Sequence, residues 1–262
     1  MMHPALQSLG NADVTTGVVL LTGVDRLSLD AATFSLMDSC PSACSIVYHV
    51  CANDNAEYGL DIVRRVNLPL SDELSHCVND ALARAETMQV SDCCLSCTVK
   101  HDAGRMLETL RGVADVFLVV LPVGLEAIPV MQYLDDMFQL DAWGESMEVS
   151  AIGNVVGLDA FEERFFDDDR LLLCGVNDDD VVFDERSTGV VVSRLIREAS
   201  HVLELPVVGS GCLSRHVDED EACDCRGIIR SIAANDAVVC PDVHDLVLMD
   251  LVRPAVVNAT KR

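Results

Sequence analysis

The sequence predicts an α/β fold, a doubly wound and mostly parallel sheet with helices on both faces, in a single domain spanning residues 1–262. Three observations carry this. Short apolar runs alternate along the chain with longer segments of helical periodicity, the pattern of repeated βαβ units. The run Ala114–Gly124, ADVFLVVLPVG, is apolar almost throughout, which suits a parallel strand covered on both faces. No internal repeat and no Gly/Ser linker divides the chain.

Taken in order, Gly17–Gly23 and Ala43–Cys51 read as buried strands, and Ala114–Gly124 as a third. Glu148–Gly157, Ser200–Gly209 and Ala237–Pro241 are further strand candidates. Ser71–Thr87 places Leu74, Val78, Ala81, Leu82 and Ala85 at helix spacing. Val99–Arg111 does the same with Ala103, Met106, Leu107 and Leu110. Glu126–Phe138, Leu158–Leu173, Arg186–Ala199 and Asp220–Ala234 are the other expected helices. Cys51–Leu70 and the acidic run Asn177–Glu185 read as surface loops.

Composition narrows the function classes. Half of the 262 residues are hydrophobic and 23% are charged, an ordinary globular balance that supports a large core without disulfide or metal. The formal net charge is −25, from 18 basic and 43 acidic residues. A field of that sign repels phosphate backbones and anionic membranes, which disfavours direct nucleic-acid or membrane binding. It leaves open a cation or a basic protein partner, and it also serves plain solubility. The segment Met1–Asn11 lacks the basic and apolar regions of a secretory signal. The longest apolar stretch, Val116–Met131, is short and interrupted by Pro122, Glu126 and Pro129. A cytoplasmic protein is expected, and its 12 cysteines are then thiols rather than disulfides.

The sharpest motif is Asp92–Asp102, DCCLSCTVKHD. Cys93, Cys94 and Cys97 precede a predicted helix, and Cys94 and Cys97 have the C-x-x-C spacing that lets two thiolates meet one soft cation. A helix N-terminus lowers a thiol pKa and so favours the thiolate. The same spacing also suits a redox pair, or cysteines of a turn that do no chemistry.

This segment resembles the G-C-[IL]-C-C-T-[LV]-[RK]-x-D block of CobW-like proteins, metal-linked GTPases of the class that includes the urease and hydrogenase nickel-insertion GTPases. Cys94, Leu95, Cys97, Thr98, Val99, Lys100 and Asp102 fall on the pattern. Ser96 stands where the family has its middle cysteine, and Cys93 where it has glycine. In this register, Val18–Phe34 takes the place of the first strand and phosphate loop, T-G-F-L-G-x-G-K-T-T. Thr22 and Gly23 match. Ser28 replaces the second glycine, Leu29 the lysine and Asp30 the magnesium-binding hydroxyl. Leucine cannot reach phosphates as the lysine does, and an aspartate near them adds a repelling charge.

The later blocks are eroded too. Asp115–Pro129 resembles D-x-[IV]-[IL]-[IV]-E-T-[ST]-G-L-A-[DE]-P, keeping Asp115, Gly124 and Leu125, with Leu121 for the glutamate and Pro122 and Val123 for the hydroxyl pair. Gly157 stands for the aspartate of V-V-D. Leu205, Pro206, Val207 and Val208 replace the base-reading N-K-x-D, and Ile232–Cys240 resembles the family's last strand entry. The resemblance spans roughly residues 15–250 and implies a P-loop NTPase-like fold without the family's C-terminal domain.

It further implies a metal-homeostasis protein that binds zinc or a similar divalent metal through Cys93, Cys94 and Cys97 and does not hydrolyse GTP. Gly23, Ser28, Leu29 and Asp30 would mark a degenerate phosphate site. A non-catalytic scaffold for a basic, for example ribosome-associated, partner is the first alternative, and a divergent GTPase metallochaperone the second. Other constellations are weaker. His216–Cys225 mixes one His, Cys223, Cys225 and acids, which suits either a divalent cation or an acidic helix start. Cys40 and Cys44 read as core, and His101 as a solvated helix residue or a fourth metal ligand. Gly209-Ser210-Gly211-Cys212 lacks a nucleophile elbow, and no H-E-x-x-H occurs.

Overall fold

The computed structural model describes residues 16–69, 85–90, 94–140, 147–175, 181–205 and 219–252. Its strands are β1 (Thr16–Gly23), β2 (Ala43–Ala52), β3 (Leu60–Asn67), β4 (Glu86–Gln89), β5 (Val116–Val120), β6 (Met147–Gly157), β7 (Arg170–Cys174), β8 (Val182–Ser187), β9 (His201–Leu205) and β10 (Val238–Cys240). Its helices are α1 (Arg26–Asp38), α2 (Leu95–Thr109), α3 (Ile128–Phe138), α4 (Phe161–Phe165), α5 (Thr188–Glu198), α6 (Glu219–Ile232) and α7 (Leu248–Val252).

Eight strands form one sheet in the order β10-β9-β6-β1-β5-β2-β3-β4. Pairing is parallel from β10 through β2 and antiparallel from β2 to β3 and from β3 to β4. The fold is therefore the expected α/β, doubly wound, mostly parallel sheet. Its centre is apolar on both faces because the pleat sends successive side chains to opposite sides. Val18 and Leu20 of β1 pack with Val99 and Leu107 of α2, Leu134 of α3 and Ile229 of α6. Val19 and Leu21 pack on the other face with Leu29, Ala32 and Leu36 of α1 and Leu248 and Leu251 of α7. Each such leucine or valine, fully removed from water, contributes about 1.5–3 kcal/mol. Among the described residues, no helix is long and apolar enough to cross a membrane.

Local chemistry explains the element ends. Asp25 caps α1, and the buried Leu29, Ala32 and Leu36 recur at helical spacing behind it. Pro129 sits in the first turn of α3, where its missing N–H costs nothing. Gly124, at φ 74°, turns the chain after β5, and a Cβ there would strike the Leu171 side chain.

Four expectations need correction. Cys51–Leu70 is not a loop throughout, because it contains β3. That strand was disguised by two buried charges, Asp61 at 8% exposure and Arg64 at 4%. The helix expected over Leu158–Leu173 ends at Phe165. Asp167 then accepts the Asp169 amide at 2.8 Å in an Asx turn, and Leu171 to Leu173 run on as a strand. The loop expected over Asn177–Glu185 gives way at Val182 to β8, which pairs with β7 as a separate two-stranded sheet, and α5 starts only at Thr188. Of the helix expected over Ser71–Thr87, residues 71–84 lie outside the described residues. Glu86 and Thr87 belong to β4, opposite Arg64 and Val63.

Candidate functional site

Strands β1 and β5 are neighbours, but the chain leaves them in opposite directions. From β1 it crosses by α1 to β2, and from β5 it crosses by α3 to β6, with α1 and α3 on opposite faces. Open α/β sheets bind ligands outside the carboxyl ends of the strands where connections diverge in this way. The N-termini of α1, α2 and α3 all face this carboxyl edge, because each helix runs against the parallel strands.

At α1 the anion-binding feature is already filled. Only Val24 and Asp25 separate β1 from α1. The Asp25 carboxylate accepts the Ser28 amide at 2.9 Å and also the Ser28 hydroxyl, and it pairs with Arg164 at 3.3 Å. Burial pushes the Asp25 carboxyl up, but Ser28 and Arg164 outweigh it and hold the group below its ordinary range. A fixed carboxylate thus occupies the place where a helix N-terminus would take a phosphate.

The four residues expected at the phosphate loop are placed as follows. Gly23 ends β1, and its carbonyl accepts the Gly124 amide at 2.9 Å. Ser28 lies within α1, committed to Asp25. Leu29 is fully buried beneath α1, and its side chain would stand 3.1 Å from a Cβ at Gly23. Asp30 is exposed and takes the Arg26 Nε at 2.9 Å, while Arg26 also reaches His49 Nε2 at 2.6 Å. Ser28 and Asp25 are brought together; Leu29 and Asp30 diverge to core and solvent.

Cysteine chemistry marks the start of α2. Cys94 is the N-cap, with extended backbone, and its Sγ accepts the Cys97 amide at 3.4 Å. Cys94 is exposed and Cys97 half-buried. Cys93 lies outside the described residues. Among the described residues, no three His, Cys, Asp or Glu side chains are gathered at metal-binding distance. His101 lies on the same helix with its ring 5.0 Å from that of Tyr133 in α3.

One turn further along α2, Asp102 is 6% exposed and anchors the helix. Arg64 Nη1 donates to both its oxygens, at 2.7 and 2.8 Å, and the Tyr48 hydroxyl donates at 2.9 Å. Arg105 joins from the next turn, and Arg64 also holds Glu86 of β4. Burial, then the Asp102 charge, pushes the Tyr48 hydroxyl well above its ordinary range and keeps it a donor. Neither Arg64 nor Tyr48 was singled out by sequence; the buried arginine lay in a stretch read as loop.

At the end of β5, Arg186 of β8 donates to the Gly124 carbonyl at 2.9 Å and to Glu126 at 2.7 Å, tying the β7–β8 hairpin across the carboxyl edge. Arg194 shares Glu126 at 2.7 Å. Glu198 of α5 lies against the Ile128 and Ala127 amides at the start of α3; burial first, then the Glu126 charge, raises its pKa. In the fourth block, Leu205 ends β9, and positions 206–208 lie outside the described residues. Beside it, Glu204 is fully buried and accepts Arg226 Nε at 2.7 Å. Of the acidic His216–Cys225 stretch, α6 begins at Glu219, with Cys223 exposed and Cys225 buried. Cys40 and Cys44 are core, and burial pushes the Cys44 thiol up to about 12.

No known family profile matches the sequence, and no curated protein matches it. Two solved structures are similar to the chain. One is the Zn(II)-bound YjiA GTPase from E. coli, with a TM-score of 0.48 and 11% identity over 91% of this chain. Another is a Zn(II)-bound triple mutant of YjiA GTPase, with a TM-score of 0.44 and 11% identity over 91% of this chain. The chain spans only 61% of the length of each.

Proposed function

We propose that this protein is a CobW-like metal-homeostasis protein that binds zinc through Cys93, Cys94 and Cys97 and does not turn over GTP. The observation that carries the loss of turnover is the Asp25 cap. Its carboxylate holds the Ser28 amide at the head of α1, so a triphosphate would meet a fixed negative charge there. Leu29, in the place of the phosphate-binding lysine, is fully buried in the core and offers no cation.

The metal reading rests on donor chemistry. Cys94 caps α2 and Cys97 follows one turn later, exposed and half-buried respectively, so both thiols are accessible to a soft cation. Bound zinc would supply a thiolate-held Lewis acid. Three thiolates leave one coordination position for a client or solvent, which suits transfer or sensing better than a closed structural site. The Asp102 network lies further along the same helix and ties α2 to Arg64 of β3.

The test measures metal and nucleotide content on one purified sample, beside a Cys93→Ala/Cys94→Ala/Cys97→Ala variant. Near-stoichiometric zinc that is lost in the variant, with no nucleotide and no thermal shift at millimolar GTP–Mg²⁺, is the expected result. Zinc retained by the variant removes the site, and a GTP-dependent shift restores the divergent-GTPase reading.

A second reading, a recruitment scaffold, is favoured by one observation. Leu172 and Phe183 face each other across the β7–β8 hairpin at 44% and 53% exposure, with Phe166 nearby in sequence at 66%. With a net charge of −25, a basic partner would be held partly by charge, so its capture should weaken as salt rises from 50 to 500 mM.

A further inference from the structure

A cleft of about 710 Å³ opens at the carboxyl edge between the β1–α1 turn, α4 and β7. That volume lies in the range of small-molecule sites, and the position is where sheets of this topology take ligands. Its bed is apolar, formed by Val24, Val123, Leu171 and Leu173. Two apolar side chains on its lip, Leu27 and Leu172, remain 76% and 44% exposed.

The charges around the bed are balanced. Arg26, Arg164 and Arg170 face Asp25, Glu163 and Asp167. Most are already committed: Arg164 to Asp25, Arg26 to Asp30, and Asp167 to the Asp169 amide. Arg170 and Glu163 are the exceptions. Neither side chain makes a hydrogen bond or ion pair among the described residues. A balanced lining on a chain of net charge −25 gives a triphosphate no electrostatic reward. It does match a ligand that carries one charge of each sign.

We propose that this cleft binds a small zwitterion with an apolar body, such as an aliphatic α-amino acid. Its carboxylate meets the Arg170 guanidinium in the paired geometry that arginine offers, and its ammonium meets Glu163. The aliphatic body lies on Val24, Val123, Leu171 and Leu173 and is removed from water there. The site is independent of the cysteine block and makes no use of its metal.

Norleucine is the probe, with hexanoate (norleucine without its amine) and pentylamine (norleucine without its carboxylate) as its single-charge analogues and GTP–Mg²⁺ as a polyanion, each titrated by calorimetry and by thermal shift. Norleucine binding is expected, with hexanoate and pentylamine each about tenfold weaker and GTP–Mg²⁺ silent, since a hydrogen-bonded charge is worth about one decade of affinity. Arg170→Met and Glu163→Gln each reproduce that tenfold loss. Both residues are at the surface, and an unchanged melting temperature without ligand shows that the variants fold. The Cys94→Ala/Cys97→Ala variant retains full norleucine affinity, which keeps this test separate from the zinc reading. Absence of norleucine binding to the wild type overturns the proposal. So does binding that survives Arg170→Met, or hexanoate binding as tightly as norleucine with no effect of Glu163→Gln.

Discussion

Helices α1 and α2 begin at the same edge of the sheet, and each is tied by an aspartate–arginine pair, but the pairs sit at different depths. In α1 the aspartate is the cap itself, Asp25, part-exposed and reached by Arg164 at 3.3 Å. In α2 the aspartate is Asp102, two turns in and 6% exposed, reached by Arg64 at 2.7 Å. The consequence is a division of labour. Asp25 sets a fixed negative charge at the positive end of α1, which disfavours an anionic ligand there. Asp102 fastens α2 from within and leaves its first turn to Cys94, which is exposed, and Cys97, which is half-buried.

The sharpest way to break this comparison is at the deeper pair. Arg64→Met strands Asp102 as a buried charge, keeping only Tyr48 and Arg105 as donors. Removing one partner of such a pair costs about 3–5 kcal/mol, so urea denaturation should show a large drop in midpoint. Replacing the set together, Arg64→Met and Asp102→Leu with Tyr48→Phe so that no buried hydroxyl loses its acceptor, should recover much of it, because apolar groups of similar size need no desolvation. A single variant as stable as wild type would mean that Asp102 finds water.

The shallower pair should give a smaller and pH-dependent effect. Asp25→Ala loses a cap, about 1 kcal/mol, whereas Asp25→Asn keeps a side-chain acceptor and should lose less. The sign with pH follows from a folded carboxyl held below its unfolded value of 3.8. Its contribution is complete above 3.8 and disappears as the pH falls through the lower folded value. Wild type and Asp25→Ala should therefore converge in stability on acidification; parallel curves would show that Ser28 and Arg164 together do not hold the Asp25 carboxyl below its unfolded value.

How much of this could be read beforehand depends on where charge lies. Strands β1, β2, β5 and β6 were legible because their buried faces carry Val, Leu, Ile and Phe on both sides. Strand β3 was not, because the charged Asp61 and Arg64 are both buried in it, and the partner that compensates Arg64, Asp102, comes from a helix far along the chain. The start of α2 was legible from the cysteine block, yet the clasp beneath it required Tyr48, Arg64 and Glu86 to meet in space. The Asp25 cap was legible in principle. An aspartate directly before the Leu29, Ala32, Leu36 stripe is an N-terminus signature. Matching Val18–Phe34 to a strand and phosphate loop left no helix expected where α1 runs from Arg26 to Asp38.

The smallest expected effect lies at α3, which supplies the opposite sign. Here the acid near the helix start comes from another helix: Glu198 of α5 lies against the Ile128 and Ala127 amides, and Glu126 adds a second negative charge. Burial dominates, so the folded carboxyl sits above its unfolded value of 4.5. Such a group costs stability when it ionises, and the cost grows as the pH rises from 4.5 through the folded value. Glu198→Gln keeps an oxygen for the amides and removes the charge. Its stability should match wild type near pH 4 and exceed it slightly at pH 7, read as a small upward shift of the melting temperature. If the variant is instead less stable at pH 7, the two amides and Arg194 outweigh burial, and α3 resembles α1 in being held by a charged cap.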